Sequence, residues 1–218
     1  SPASLCCCSL RFCKFSERPI DQETMTSIIG VSAFWSILLR KSGSQDLAVK
    51  KNIPLYVRPE DREGLREAGK FSAQLMDFLR TQVKEGVSTN QLDQLAHDYT
   101  RDHGHTPACL GYLNYPKTIC TSVNEVVCHG IPNTRPLKDG DIINVDITSI
   151  VNGWFGDQSE TFMIGNVSHS ARRLVQTTFE AMFVGIRACR PGCTVTEIGR
   201  AIQTFATKSG YSVVREYQ

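Results

Sequence analysis

The sequence predicts an α+β domain in which an antiparallel sheet is flanked by helices. Three observations carry this. Apolar residues recur at helical spacing in two blocks, one before and one after a β-rich middle. Within that middle, Asn152-Gly153 separates two runs rich in β-branched and aromatic residues, as in a tight antiparallel hairpin. Helices arriving in blocks, rather than alternating singly with strands, favour an antiparallel sheet over a parallel doubly wound one.

The domain is expected to occupy residues 53–218, with 1–52 an extension outside it. Pro54 and Pro59 favour an extended entry followed by a helix start. From Glu60 to Lys84, the residues Leu65, Ala68, Ser72, Leu75 and Leu79 fall on one helical face, and Gly86 stands where that helix would stop. Ser88 with Gln91 is a capping box opening a second helix, whose stripe is Leu92, Leu95, Ala96 and Tyr99 and whose end is Gly104. Short extended segments are expected at Ala108 to Tyr112 and Thr118 to Val123, separated by a turn containing Asn114 and Pro116, then the hairpin Asp141 to Val151 and Trp154 to Ile164. Ser168 caps a helix running to about Cys189, where Pro191-Gly192 breaks it. Thr194 with Glu197 opens the last helix, ended by Gly210, and Tyr211 to Val214 resumes a strand pattern.

Composition excludes several classes. The chain has 218 residues, 41% of them hydrophobic, and a formal net charge of +2, too small to draw the chain to nucleic acid or a membrane surface. The apolar run Ile28 to Leu39 is well short of the roughly 20 residues that span a bilayer. Arg40 and Lys41 follow that run rather than precede it, the reverse of a signal peptide, and Met25 is a candidate start. The 9 cysteines are odd in number and unevenly spread, so free thiols in a reducing cytosol are expected. Cys189 and Cys193 flank a turn, but no second pair with zinc-site spacing accompanies them.

The hairpin makes a geometric prediction about two carboxylates. If Asn152-Gly153 is a two-residue loop, Val151 faces Trp154, Thr148 faces Asp157 and Asp146 faces Ser159. Alternation then puts Asp146, Thr148 and Asp157 on one face, with the two aspartates diagonal neighbours roughly 7–8 Å apart at the backbone. Two anions so placed repel unless a cation compensates them, and two-metal hydrolases bridge ions about 3.5–4 Å apart with such groups. The same residues would also suit a solvated sheet face, and patterning alone leaves both readings open.

Two segments carry a resemblance. PACLGYLNYPKTICTSVNEVVCHGIP, beginning at Pro107, and LKDGDIINVDITSIVNGWFGDQSETF resemble the N-terminal half of type I methionine aminopeptidases, with the CHGIP, NVDIT and GDxSxTF elements in the family's order. The resemblance covers about Glu60 to Gln218. It implies a pita-bread fold with a pseudo-twofold pair of half-domains, and removal of the initiator methionine from nascent peptides. By that likeness Asp146 and Asp157 are the first two ligands of two divalent cations, with Asp157 bridging them. Cobalt, manganese, iron, zinc and nickel are not distinguishable as the native metal.

His129 matches the histidine that hydrogen-bonds the substrate near the scissile amide. An imidazole can donate to a developing oxyanion without a net charge change at neutral pH, which suits that role. Cys109, Tyr112, Tyr115 and Cys120 match or flank positions lining the pocket for the methionine side chain, and polarizable sulfur suits a thioether there. The implied partners are nascent polypeptide N-termini, met at the ribosome, with a monomer expected in the cytoplasm. The family completes its site with a histidine in a glycine-rich strand and two glutamates, which have no match before Gln218, so weak metal affinity and little activity are expected of these residues alone. Gln158 stands where the family usually has a small Thr or Cys. A non-catalytic binding module on the same fold, and a proline-specific peptidase, are the competing readings.

Overall fold

The computed structural model describes residues 59–214, together with a two-residue strand β1 at Ser4–Leu5. The rest of the expected 1–52 extension, including Ile28 to Leu39 and Met25, lies outside the described residues. Among the described residues no helix is long and apolar enough to cross a membrane.

A 3-10 turn at Pro59–Asp61 leads into helix α1, Arg62–Arg80. Its buried face comprises Leu65, Ala68, Phe71, Ser72, Leu75, Met76 and Leu79, the stripe read from sequence with Phe71 and Met76 added. The helix stops at Thr81 rather than near Lys84. The N–H groups of Thr81, Gln82 and Val83 fold back onto Phe78 and Leu79, while Gly86 donates to Leu137 O at 2.8 Å and so shapes the approach to the next helix. That helix, α2 at Thr89–Asp102, has the expected Ser88–Gln91 capping box.

Strand β2 is only Thr106–Pro107, because the chain then turns through Gly111 into a 3-10 turn at Tyr112–Asn114. The extended segment expected at Ala108 to Tyr112 is therefore a turn for most of its length. Leu113 and Asn114 adopt positive φ there, at 48° and 65°. β3 spans Ile119–Val123, and the hairpin is β4, Ile142–Val151, with β5, Trp154–Met163. β4 is central: β5 lies along one edge, with β2 and β3 end to end along the other. All these pairings are antiparallel.

On β4 the odd residues Ile143, Val145, Ile147, Ser149 and Val151 are buried, whereas the even residues are half-buried. The odd face meets α1, which runs along the hairpin with Gly64 against the Trp154 ring, Ala68 against Gly156 and Arg80 paired with Glu160. Leu75, Met76, Leu79, Leu92, Ile119, Ile143 and Val145 meet in this core, each large aliphatic side chain contributing about 2 kcal/mol of burial.

A second helical pair follows, α3 at His169–Ala188 and α4 at Val195–Lys208, with its own small core of Ala181, Cys189, Cys193, Ile198 and Ile202. Burial, and then the neighbouring Cys193, pushes the Cys189 thiol up to about 11, as suits a packing residue. The α4 capping box, Thr194 with Glu197, repeats that of α2, and the flanking glycines Gly192 and Gly210 match Gly86 and Gly104 at identical spacing. β6, Ser212–Val213, follows and pairs in parallel with β1.

Between α1 and α2 an aromatic cluster holds two histidines. Phe71 meets His105 edge-on at 4.4 Å between ring centroids, and Tyr99 stacks on His103 at 4.2 Å. Burial, and then the proximity of His103, lowers the His105 pKa from 6.5, with Glu67 partly opposing. The folded state therefore binds the His105 proton less readily than the unfolded chain. Stability is complete above pH 6.5 and declines as pH falls below it. Melting curves from pH 8 to pH 5 should show this decline, flattened in His105→Gln. An identical slope in the variant would rule His105 out as its source.

Candidate active site

The hairpin register is the one predicted. Val151 pairs with Trp154, Thr148 with Asp157 and Asp146 with Ser159, so Asp146, Thr148 and Asp157 share the even face, away from α1. Thr148 Oγ1 donates to Asp157 Oδ1 at 3.3 Å. This face is half-buried, neither sealed in the core nor fully solvated.

The other edge of β4 brings in the predicted pocket. Cys120 on β3 lies directly opposite Asp146, and Ala108, just after β2, donates its N–H to Thr148 O at 2.9 Å. Cys109 is thus set beside Thr148, and its thiol hydrogen-bonds with those of Cys120 and the Thr148 hydroxyl. The contact with Cys120, then burial, then the charges of Cys120 and Asp146 push the Cys109 thiol far above its usual range. Tyr115 joins the cluster through a hydrogen bond with Cys120. Tyr112 does not: it is 58% exposed on the turn beside Leu113. None of the described cysteines is joined in a disulfide.

His129 lies in the loop between β3 and β4, half-buried, with φ of 52°. Asp141, itself buried, organises this loop: it accepts from Asn124 Nδ2 at 2.7 Å, from the Lys138 N–H at 3.0 Å and from Arg135 at 3.3 Å. Gly130, next to His129, is drawn onto β3 by the Thr121 N–H, which donates to Gly130 O at 2.8 Å. The loop carrying the histidine is therefore fastened to the strand carrying Cys120, whose partner is Asp146.

Two neighbours were not singled out from sequence. Asn144, two residues before Asp146 and on the same face, donates through Nδ2 to Thr161 Oγ1 at 3.1 Å, while its Oδ1 is buried without a hydrogen-bond partner. Ser122, opposite Asn144, accepts from the Gly130 N–H at 3.2 Å. Face parity on the hairpin could have found Asn144. Nothing in the sequence marks the approach of Gly130 to β3.

The donor chemistry fits part of a divalent-metal site. Two carboxylates share a half-buried face, with an unpartnered amide oxygen beside them, and hard oxygen donors suit divalent cations. The set is incomplete: among the described residues no group of three or more His, Cys, Asp or Glu side chains is placed to hold a metal.

Two strand aspartates thus share a face beside Cys109 and Cys120, on an antiparallel sheet backed by helices. The sequence profile of metallopeptidase family M24 matches residues 63–217, and the chain belongs to that family of metallopeptidases. It is 50% identical over 153 residues to the methionine aminopeptidase of Rickettsia prowazekii, covering 70% of this chain and 59% of that protein. The crystal structure of methionine aminopeptidase from the same organism superposes with a TM-score of 0.72 at 48% identity, covering 74% of this chain and 65% of that one. The methionine aminopeptidase of Escherichia coli K12 is 47% identical over 161 residues, covering 73% of this chain and 61% of that protein. The chain spans about three fifths of the length of these curated relatives. Its fold is the N-terminal part of the pita-bread fold, as expected.

Proposed function

We propose that the protein to which these residues belong is a metal-dependent aminopeptidase that removes the N-terminal methionine from nascent polypeptides. The observation that carries this reading is the shared face of Asp146 and Asp157 next to the Cys109–Cys120 pair. Asp146 and Asp157 would hold divalent cations. When bound, such ions supply Lewis-acid polarisation of a carbonyl and water of lowered pKa at neutral pH.

The chain's own residues do the rest. Cys109 and Cys120 offer a soft, polarizable wall to a thioether side chain, which keeps water from it and sets the scissile amide over the aspartates. Thr148 orients the Asp157 carboxylate by its hydrogen bond. His129 donates a hydrogen bond to the oxygen on which negative charge gathers, a contribution worth about 3 kcal/mol in comparable sites. Cytoplasmic residence, encounter with substrate at the ribosome and a monomeric state belong to the same proposal. Described cysteines outside any disulfide agree with a reducing compartment.

The test is a transplant. A chimera carrying residues 60–218 in place of the matching segment of the Escherichia coli relative should release methionine from a Met-Ala-Ser peptide when manganese or cobalt is supplied. The 218-residue chain alone should show no appreciable turnover. A folded chimera without activity would overturn the aminopeptidase reading in favour of a non-catalytic binding module.

A further inference from the structure

One hydroxyl group in the site touches more than a pocket wall needs to. The Tyr115 hydroxyl donates to two backbone carbonyls, Ile119 O at 3.0 Å and Gly130 O at 3.2 Å, and also hydrogen-bonds with the Cys120 thiol. It therefore links the start of β3, the pocket sulfur and the loop bearing His129.

Gly130 is held from other sides as well. The Thr121 N–H donates to its carbonyl, and its own N–H donates to Ser122 Oγ at 3.2 Å. The approach is so close that a Cβ on Gly130 would stand 2.8 Å from the Thr121 carbonyl carbon and 3.1 Å from Ser122 Cα. His129, one residue earlier, sits at φ 52°, a left-handed conformation that a side-chain-bearing residue keeps only when surrounding contacts hold it. The contacts on Gly130 are among those that hold it.

We infer that Tyr115 is a positioning residue: its hydroxyl, together with that of Ser122, fixes Gly130 and thereby the backbone that sets His129. The inference rests on the reading of His129 as the substrate's hydrogen-bond donor and deepens it. The phenol is suited to this task because burial, followed by the Cys120 hydrogen bond, holds its pKa above the usual value. It stays a protonated donor at neutral pH. As a wall of the methionine pocket, Tyr115 would need only its ring.

That difference makes Tyr115→Phe decisive, since the ring remains and only the hydroxyl goes. Nuclear magnetic resonance on the 218-residue chain reads it without metal or turnover, so the result stands apart from whether methionine is cleaved. In Tyr115→Phe the Thr121 amide should exchange roughly fivefold to tenfold faster, as loss of one such hydrogen bond implies. The His129 imidazole cross-peak should shift, while that of His169, at the first residue of α3, stays in place. Ser122→Ala should move the same His129 cross-peak. Unchanged Thr121 exchange and an unmoved His129 cross-peak in Tyr115→Phe would overturn the inference and leave Tyr115 a wall. Shifts that extend equally to His169 would also overturn it, because they would mark general loosening.

Discussion

Gly156→Ala is expected to destabilise the chain by about 3 kcal/mol, at the upper end of what one forced methyl group costs in a packed interior. Gly156 is buried in β5 on the face that meets α1. A Cβ there would fall on the Ala68 carbonyl, 2.6 Å from its carbon, and on Ser72 Oγ. Ser72 could change rotamer, but the Ala68 carbonyl is helix backbone, tied into the i to i+4 ladder, and cannot. The strand must lift from the helix instead. Because Gly156 and Asp157 are adjacent on opposite faces, the lift also moves the carboxylate paired with Thr148.

The control lies on the same helix. Gly69 has nothing within 4 Å of where its Cβ would be, so Gly69→Ala should stabilise by roughly 0.5–1 kcal/mol through reduced freedom of the unfolded chain. Urea denaturation of the two variants should move the midpoint in opposite directions. A Gly156→Ala midpoint equal to that of the unsubstituted chain would show that α1 does not press on β5 as described.

The contrast between these glycines shows where sequence reading reaches its limit. Gly156 and Gly69 look alike in sequence, and only three-dimensional proximity separates them. The hairpin was legible because its information is local: Asn152-Gly153 fixes the turn, the turn fixes the register, and the register fixes which residues share a face. Both capping boxes were legible for the same reason. The turn at Asn114 was legible too, but its early start was not: the chain already turns at Gly111, and Leu113 takes positive φ, which no local pattern marks. Likewise the burial of Asp141 and its hold on the loop before it depend on contacts with Asn124, Arg135 and Lys138 that no periodicity encodes.

Asp146→Asn and Asp157→Asn should each lower turnover in the chimera on the order of a thousandfold, the scale of losing a principal source of charge stabilisation in a metal hydrolase. Asparagine keeps the shape and an acceptor oxygen, so Thr148 Oγ1 can still donate at position 157. What is lost is the negative charge that binds a divalent cation. Stability should respond in the opposite sense. Two carboxylates on one face repel when no cation lies between them, so neutralising either should leave the metal-free 218-residue chain as stable as before or slightly more so. A purely structural role predicts the reverse, with both stability and turnover falling. Isothermal titration with manganese, denaturation of the metal-free chain and turnover of the chimera together separate the cases. Undiminished turnover in both variants would remove the aspartates from the site, whatever the likeness of the surrounding sequence.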